Sequence, residues 1–257
     1  MCLLMVACRT VPPYTLVVAA NRDESYGRPA APAAFWHDAP DLLAGRDLEA
    51  GGTWLGVTTG GRFAALTNFR EPGQHRPDAP SRGALVEGFL RSRTSAPRYT
   101  ASLAKTASSY NGFTLLVWDG KSLACASNRG RRQGALPPGI YGLSNGTLDE
   151  PWPKVNRAKA AFSRLLAHPP PALREDLFRL LGDREPAPDE ALPHTGLPLA
   201  WERALSPAFV TTDLHGTRCS TVLLVTDSGA AELEERTFLR RGEPAGRVRL
   251  SFTLSRP

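Results

Sequence analysis

The sequence lacks any apolar run long enough to cross a membrane. A spanning helix needs about 20 consecutive apolar residues, whereas the longest apolar runs here, Leu3 to Ala7 and Leu16 to Ala20, have the length of a β-strand. A secretory signal peptide is not indicated either, because the first apolar stretch ends at Arg9 and two prolines without a small-residue cleavage site. We therefore expect a cytoplasmic protein with no membrane span.

Cysteine and histidine are both sparse. The four cysteines, Cys2, Cys8, Cys125 and Cys219, include no CxxC pair, which argues against a disulfide framework, a zinc site and a CxxCH haem-attachment motif. The five histidines show no metal-ligand spacing. We expect reduced thiols, no bound metal and no required cofactor.

Lysine is also scarce, although the formal net charge is +6. Most of the positive charge comes from arginines that are scattered along the chain. Nucleic-acid binding is favoured by a concentrated basic stripe with stacking aromatic residues, and the sequence has no such stripe. The charge pattern therefore predicts no nucleic-acid partner, allows a modest attraction for anionic ligands, and indicates no oligomeric state.

Apolar runs bounded by turn residues predict strands and hairpins. The predicted strands are Cys2 to Cys8, Tyr14 to Ala20, Thr53 to Thr58, Arg62 to Asn68, Gly112 to Asp119, Ser122 to Asn128, Arg218 to Thr226, Glu232 to Leu239 and Arg247 to Leu254. Their order along the chain suits antiparallel pairing between neighbours. Layered antiparallel sheets are the simplest arrangement of these strands.

Helical spacing of apolar residues predicts the remaining elements. The predicted helices are one that Ser81 caps and that contains Leu85 to Leu90, a short one at Ala101 to Ala107, and two more at Val155 to Leu166 and Leu173 to Leu181. Prolines and acidic residues mark 185–199 as a loop or lid. The sequence has no internal repeat or long linker, so we predict one α+β domain over residues 1–257.

Cys2 becomes the first residue if Met1 is removed. An N-terminal cysteine carries a thiol and a free α-amine on one carbon, which together form a minimal nucleophile and base. Their ordinary pKa values, about 8.5 and about 7.7 to 8.0, need only small shifts to give a thiolate near neutral pH. The alternative is that Cys2 is an apolar residue at a strand end.

Four polar residues, Asn21, Arg22, Asp23 and Glu24, abruptly end the second predicted strand. If the first two strands form a hairpin, this tetrapeptide lies beside Cys2. Alternate residues of a strand face opposite sides, so Asn21 and Asp23 share one face and Arg22 and Glu24 the other. The alternative is a solvated strand end with a local ion pair of little energetic value.

The sequence resembles the NRDE family of transport-and-Golgi-organisation proteins, which is named after this tetrapeptide. The resemblance runs in order from Met1 to about Phe238. The matching segments are NRDE (21–24), GRDLEAGGTWLG (45–56), ALTN (65–68), SRG (81–83), YNGF (110–113), YGLSNGTLDEPWPK (141–154) and GTRCST (216–221).

The resemblance implies an N-terminal-nucleophile hydrolase type of fold, a four-layer αββα sandwich with Cys2 at the mouth of the central cleft. A wider similarity to choloylglycine hydrolases and penicillin V acylases implies roles by position. Cys2 would attack a linear amide, Arg22 with Asp23 would steady the thiolate and amine, Asn145 would donate to the oxyanion, and Arg218 would lie close by. Asn145 and Arg218 also suit ordinary turn and strand-end positions.

The sequence departs from those hydrolases at the second strand. They separate the arginine and the aspartate, whereas Arg22 and Asp23 are adjacent here and point oppositely in a regular strand. Only one of them then contacts the thiol, and we expect that residue to be Asp23.

Three further residues near the matching segments are candidates for ligand binding. Asn68, at the end of ALTN, is a second potential hydrogen-bond donor to a ligand. Trp54 and Trp152 either line a ligand cleft or serve as packing anchors.

Two functions compete. Relatives in the NRDE family are linked to intracellular haem trafficking, which implies a ligand carrier that takes haem as a transported ligand, with an apolar cleft and cations for the propionates. The alternative is a Cys2-dependent amidohydrolase that acts on a small acylated amine through an acyl-enzyme.

Overall fold

Thirteen strands form two antiparallel sheets in the computed structural model, which describes residues 2–130, 134–169 and 171–255. The strands are β1 (Cys2–Val11), β2 (Tyr14–Ser25), β3 (Ala30–Trp36), β4 (Ala39–Asp47), β5 (Leu55–Thr58), β6 (Phe63–Asn68), β7 (Phe113–Trp118), β8 (Leu123–Ser127), β9 (Gly134–Leu136), β10 (Gly139–Leu143), β11 (His215–Thr226), β12 (Ala230–Phe238) and β13 (Pro244–Thr253). The first sheet has the order β10-β1-β2-β11-β12-β13, and the second runs from β3 to β9 in sequence order.

Among the described residues, five α-helices cover the outer faces of the sheets or connect strands. They are α1 (Gly83–Arg91), α2 (Ala96–Ser102), α3 (Pro153–Ala167), α4 (Leu173–Leu181) and α5 (Leu199–Ala204). In the part of the chain that the structure describes, no helix combines the length and the apolar character that crossing a membrane requires.

The apolar residues form three layers of core. Side chains of both sheets, such as Leu4 and Leu223 from the first and Leu43 and Leu116 from the second, fill the space between them. The apolar face of α1 and α2 packs on the outer face of the second sheet, and that of α3 and α4 on the outer face of the first. The predicted four-layer αββα sandwich of antiparallel sheets is therefore confirmed.

All nine predicted strands and both helices of the central region are confirmed within a few residues. The prediction missed β3 and β4, because prolines interrupt their apolar pattern. Pro32 is tolerated because β3 is an edge strand, where one row of backbone N–H groups has no ladder partner to lose. The short strands β9 and β10 and the helix α5 were also missed.

Two details of the first two predicted helices are wrong. Arg82, and not Ser81, is the N-cap residue of α1, and it makes no side-chain capping bond. The second helix begins at Ala96, because Pro97 suits the first turn of a helix; the predicted range, Ala101 to Ala107, holds only its end and a 3₁₀ turn.

Residues 185–199 include a 3₁₀ turn, Asp189–Ala191, and the first residue of α5, and otherwise lack regular structure. The backbone N–H of Ala187 donates to Ser206 Oγ at 2.9 Å, and Thr195 donates to the Glu202 carboxylate of α5. The segment is therefore held against α5. Its function as a lid, like the single-domain boundary at 1–257, stays a prediction.

Candidate active site

Cys2, Arg22 and Cys219 lie side by side on three neighbouring strands. Cys2 of β1 is directly opposite Arg22 of β2, and Arg22 is directly opposite Cys219 of β11. Directly opposed residues of antiparallel strands point to the same face. All three side chains therefore face the space between the two sheets, at the point where the apolar core ends and polar side chains begin.

A cavity of about 670 Å³ opens in front of this row. The first sheet contributes Cys2, Arg22 and Cys219 to its wall, and the opposite side contributes Trp54, Asn68 and Arg82. Arginines and carboxylates form much of the wall, and the aromatic ring of Trp54 is only partly buried. The arrangement suits a small ligand that carries both polar and apolar groups.

The residue Cys2 is buried, with 7% of its surface exposed. Burial raises the pKa of this thiol above its ordinary value, and the charge of Asp23 adds to this effect. The charge of the terminal ammonium group, a hydrogen bond from the Asp23 backbone N–H and the Arg22 guanidinium lower the pKa. Arg22 in turn contacts the carboxylates of Asp47, at 3.5 Å, and Glu24, at 3.8 Å. A permanent cation and a backbone donor thus favour the thiolate in an otherwise unfavourable environment.

The side chain beside the Cys2 thiol is that of Arg22, whereas the sequence led us to expect that of Asp23. As predicted, Asn21 and Asp23 share one face of β2, but the pairing of Cys2 with Arg22 places that face on the helix side of the sheet. The side chain beside the thiol is therefore that of Arg22. Asp23 offers the thiol its backbone N–H, while its buried carboxylate accepts a hydrogen bond from Thr217 Oγ1 at 2.7 Å.

Asn145 lies against the Cys2 backbone. Its Oδ1 accepts a hydrogen bond from the Cys2 backbone N–H at 3.2 Å, and its Nδ2 donates to the carbonyl of Asn68 at 2.8 Å. Ser144 Oγ donates to the Cys2 carbonyl at 2.8 Å. Asn145 is thus brought to the site, where it orients the nitrogen of Cys2. Met1 itself lies outside the described residues.

Arg218 lines the same cavity at an irregularity in the pairing of β2 with β11, where it is the extra residue between Thr217 and Cys219. Its guanidinium donates to the backbone carbonyls of Ser25, at 2.8 Å, and Arg28, at 3.1 Å. The guanidinium beside the Cys2 thiol is that of Arg22, and Arg218 braces the turn after β2 as well as lining the wall.

The structure places Asn21 and Trp152 elsewhere. Asn21 Nδ2 donates to the carbonyls of Leu181 and Ala208, both at 2.8 Å, and its Oδ1 accepts from Ser220. Trp152 packs in the core between the first sheet and α3. Both side chains lie on the helix side of the sheet, opposite the cavity, where they hold elements together.

Sequence reasoning missed Arg82, Cys219 and Glu235 as cavity residues. Arg82 and Cys219 fall within two of the segments that carry the family resemblance, so the motifs themselves were the available signal. Glu235 of β12 is 4% exposed, and burial raises the pKa of its carboxyl group. Its Oε1 accepts the backbone N–H of Ala33 at 2.7 Å, which links the two sheets beside the cavity.

Across residues 2–130, 134–169 and 171–255, no three histidine, cysteine or carboxylate side chains form a cluster that could hold a metal ion. The donors that face the cavity are a thiol, guanidinium groups, backbone N–H groups and an asparagine amide. This set can hold an anion or polarise a carbonyl group. It can also support covalent chemistry at sulfur.

The fold is that of the N-terminal-nucleophile hydrolases. It is similar to the crystal structure of the C2A mutant of a conjugated bile acid hydrolase from Clostridium perfringens, with a TM-score of 0.51 over 98% of this chain and 92% of that one. The sequence identity is only 8%, so the likeness concerns the fold.

The chain belongs to the Transport and Golgi organisation 2 family, whose sequence model matches residues 1–240. It is 36% identical to the mouse Transport and Golgi organization 2 homolog over 88% of this chain and 87% of that protein. It is 38% identical to the bovine homolog over the same shares. The resemblance inferred from the motifs is thereby confirmed.

Proposed function

We propose that this protein hydrolyses a linear amide of a small acylated amine, with Cys2 as the nucleophile. One observation carries the proposal: the Cys2 thiol faces a ligand-sized cavity with the Arg22 guanidinium on the neighbouring strand and the Asp23 N–H at the sulfur. Nucleophilic catalysis by cysteine needs a thiolate beside a space that holds the substrate carbonyl.

The reaction requires that Met1 be removed, because the freed α-amine of Cys2 then serves as the base. The thiolate attacks the amide carbonyl to form a C–S bond, and collapse of the intermediate breaks the C–N bond as the departing amine takes a proton from the α-ammonium group. Water then attacks the thioester, with the α-amine as base. This step breaks the C–S bond, releases the carboxylic acid and regenerates the thiol.

Asn145 and Asn68 have different roles in this proposal. Asn145 holds the Cys2 nitrogen through its Oδ1, which keeps the base next to the sulfur. Asn68 reaches the cavity wall from the opposite sheet, and its side-chain amide is the candidate donor to the oxyanion. A single well-placed donor of this kind typically contributes about 10² to 10³ in rate.

The experiment begins with intact mass, which reports whether Met1 has been removed. A panel of acyl amides is then assayed with the wild type, with Cys2→Ala and with Cys8→Ala. We expect turnover by the wild type, at least about a 10³-fold loss in C2A, and retained turnover in C8A, because Cys8 lies in the core between the sheets. Retention of Met1, or turnover that survives in C2A, would overturn the proposal.

Haem handling is the second candidate, and two observations favour it. His75 lines the cavity together with Cys2, which offers an exchangeable axial ligand of either type. Arg76 and Arg82 also line it, and the guanidinium group of arginine pairs readily with carboxylates such as the propionates. The largely polar wall suits the macrocycle less well than it suits a small acylated amine.

Titration with haemin tests this second candidate. Saturable growth of a shifted Soret band in the wild type, weakened in Cys2→Ala and displaced by a competing ligand, would support a carrier. A linear, unsaturable increase that is equal in the two proteins would reject it.

A further inference from the structure

Six arginines line the cavity in front of Cys2, and five of them are already occupied by partners within the protein. Three pair with carboxylates: Arg22, Arg28 and Arg46. Two others each donate to three backbone carbonyls: Arg76 and Arg218. The sixth is Arg82, which stands on the wall opposite Cys2.

The guanidinium of Arg82 has few partners. This residue is half-buried at the N-cap of α1, and its Nη1 donates to the Gly112 carbonyl at 3.1 Å. A guanidinium carries five N–H donors, and in the part of the chain that the structure describes no carboxylate pairs with this one. Burial lowers the pKa of Arg82, because the charged group has lost hydration without gaining an anion. The cavity wall therefore offers a ligand a positive charge with several N–H groups.

A short series of hydrogen bonds fixes Arg82 relative to Cys2. The Cys2 N–H donates to Asn145 Oδ1 at 3.2 Å, and Asn145 Nδ2 donates to the Asn68 carbonyl at 2.8 Å. The N–H of that same peptide group donates to the Gly112 carbonyl at 2.9 Å, which is the carbonyl that accepts from Arg82. Both ends of the series line one cavity, so one ligand can contact the thiol and the guanidinium together.

The carboxylates whose charges act on Arg82 have partners of their own. They belong to Glu24 and Glu71. Glu24 lies 3.8 Å from the Arg22 guanidinium, and Glu71 accepts two hydrogen bonds from Arg129, at 2.7 and 2.9 Å. Neither uses the N–H donors of Arg82, so an anion that enters the cavity can take them.

We propose that Arg82 binds an acidic group of the substrate, so that the protein acts on acylated amines that carry a carboxylate. The inference rests on the proposed amide hydrolysis at Cys2 and names its substrate class. The planar fork of a guanidinium matches the two oxygens of a carboxylate. In haem handling the same guanidinium would bind a propionate, and the experiment separates these two sources of the carboxylate.

Two alkylating reagents of nearly equal size test the site without relying on hydrolysis. Iodoacetate and iodoacetamide both alkylate Cys2, but only iodoacetate carries a carboxylate. The ratio of their rates, read by tandem mass spectrometry of the N-terminal peptide, cancels changes in the reactivity of the thiol. We expect Arg82→Gln to lower the iodoacetate-to-iodoacetamide ratio about tenfold, and Arg82→Lys to keep most of it.

The matched control is Arg46→Gln. Arg46 lines the same cavity, but its guanidinium is paired with Asp38 at 2.6 Å. We expect the reagent ratio of R46Q to stay within about twofold of the wild type. Near-ultraviolet circular dichroism checks that both glutamine variants are folded.

The second measurement compares N-hexanoylglycine with its uncharged amide, N-hexanoylglycinamide. We expect the wild type to have at least about a tenfold lower KM for the acid. R82Q should raise the KM for the acid, with kcat within about threefold, and leave the KM for the amide unchanged. Protection of wild-type Cys2 from iodoacetamide by each compound compares their binding without hydrolysis, and it needs no variant to fold.

The outcomes distinguish the role of Arg82 from the reaction itself. An unchanged reagent ratio in R82Q, or an equal fall in R46Q, would overturn the role of Arg82 even if amide hydrolysis is found. A lower ratio and selective protection by the acid, in a protein that hydrolyses neither compound, would uphold the anion site and reject the proposed reaction. Haemin that binds saturably to the wild type and not to R82Q, while neither hexanoyl compound protects Cys2, would assign Arg82 to a propionate and overturn the proposed substrate class.

Discussion

Lys154, in the first turn of α3, is a lysine whose burial costs stability. Its folded pKa is about 8, against an ordinary value of 10.5, because burial disfavours the ammonium form. Between these two pH values the unfolded chain holds a proton that the folded chain has released. Unfolding therefore becomes less favourable as pH rises through this window, and the penalty is largest below about pH 8.

Lys154→Met should consequently stabilise the protein at pH 7. A pKa difference of two to three units corresponds to about 3 kcal/mol, from which the lost hydrogen bond to the Pro207 carbonyl subtracts about 1 kcal/mol. We expect a gain of about 2 kcal/mol in the free energy of unfolding by urea denaturation, shrinking towards pH 10. Lower stability of K154M at pH 7 would contradict this account of the burial cost.

The matched control is Lys159→Met on the same helix. Lys159 is partly exposed and paired with Asp149, and such pairs contribute roughly 0 to 1 kcal/mol. We expect K159M to be unchanged or slightly less stable. A gain in both variants would point to a general preference of α3 for apolar residues.

Two neighbouring residues of β12 are buried glutamates, and their side chains point to opposite faces of the sheet. Glu235 faces the space between the sheets and accepts the Ala33 N–H, whereas its neighbour Glu234 faces the helix side. Glu234 is completely buried and forms ion pairs with Arg174, Arg236 and Arg247 at 2.8 to 3.0 Å. Strand β12 and the edge strand β13 are thereby tied to α4.

Glu234→Gln should destabilise the protein by on the order of 2 kcal/mol, because three guanidinium groups lose a completely buried carboxylate and keep only the more exposed carboxylates of Glu175 and Glu232. The measurement is urea unfolding at low and moderate salt. Glu243→Gln, at an exposed site, should change stability by less than about 0.5 kcal/mol. Equal stability of E234Q and the wild type would mean that Glu175, Glu232 and solvent, rather than Glu234, balance these arginines.

The cavity lies between the two sheets, at the end where the residues facing this space change from apolar to polar. The next residues of β1 on the same face as Cys2 are Leu4 and Val6, and both are completely buried. The cavity therefore lies at the end of a packed sandwich, and its walls come from both sheets. Strands of the first sheet hold the thiol, and the second sheet brings Asn68 and Trp54 opposite it.

Much of this architecture could be predicted from the sequence, because hairpins depend on residues that are close together in the chain. The apolar runs of β1 and β2 are joined by a short Pro-Pro turn, and α4 ends at Gly182 as its sequence indicated. The strands β3 and β4 escaped prediction because prolines break their local pattern, while their pairing comes from distant neighbours. Likewise, α5 is too short for helical periodicity to stand out.

At the candidate site, the sequence by itself determined which polar residues lie near Cys2. The NRDE tetrapeptide comes at the end of the strand that follows the Cys2 strand in the chain, and these two strands form a hairpin. Tertiary structure alone decided which of them faces the thiol. A shift of one residue in the pairing of β1 with β2 would exchange Arg22 for its neighbours, and only the packed sheets fix that register. Lys154 ends one of the matching segments (141–154), but its burial was beyond sequence reasoning, because it depends on elements that lie far apart in the chain.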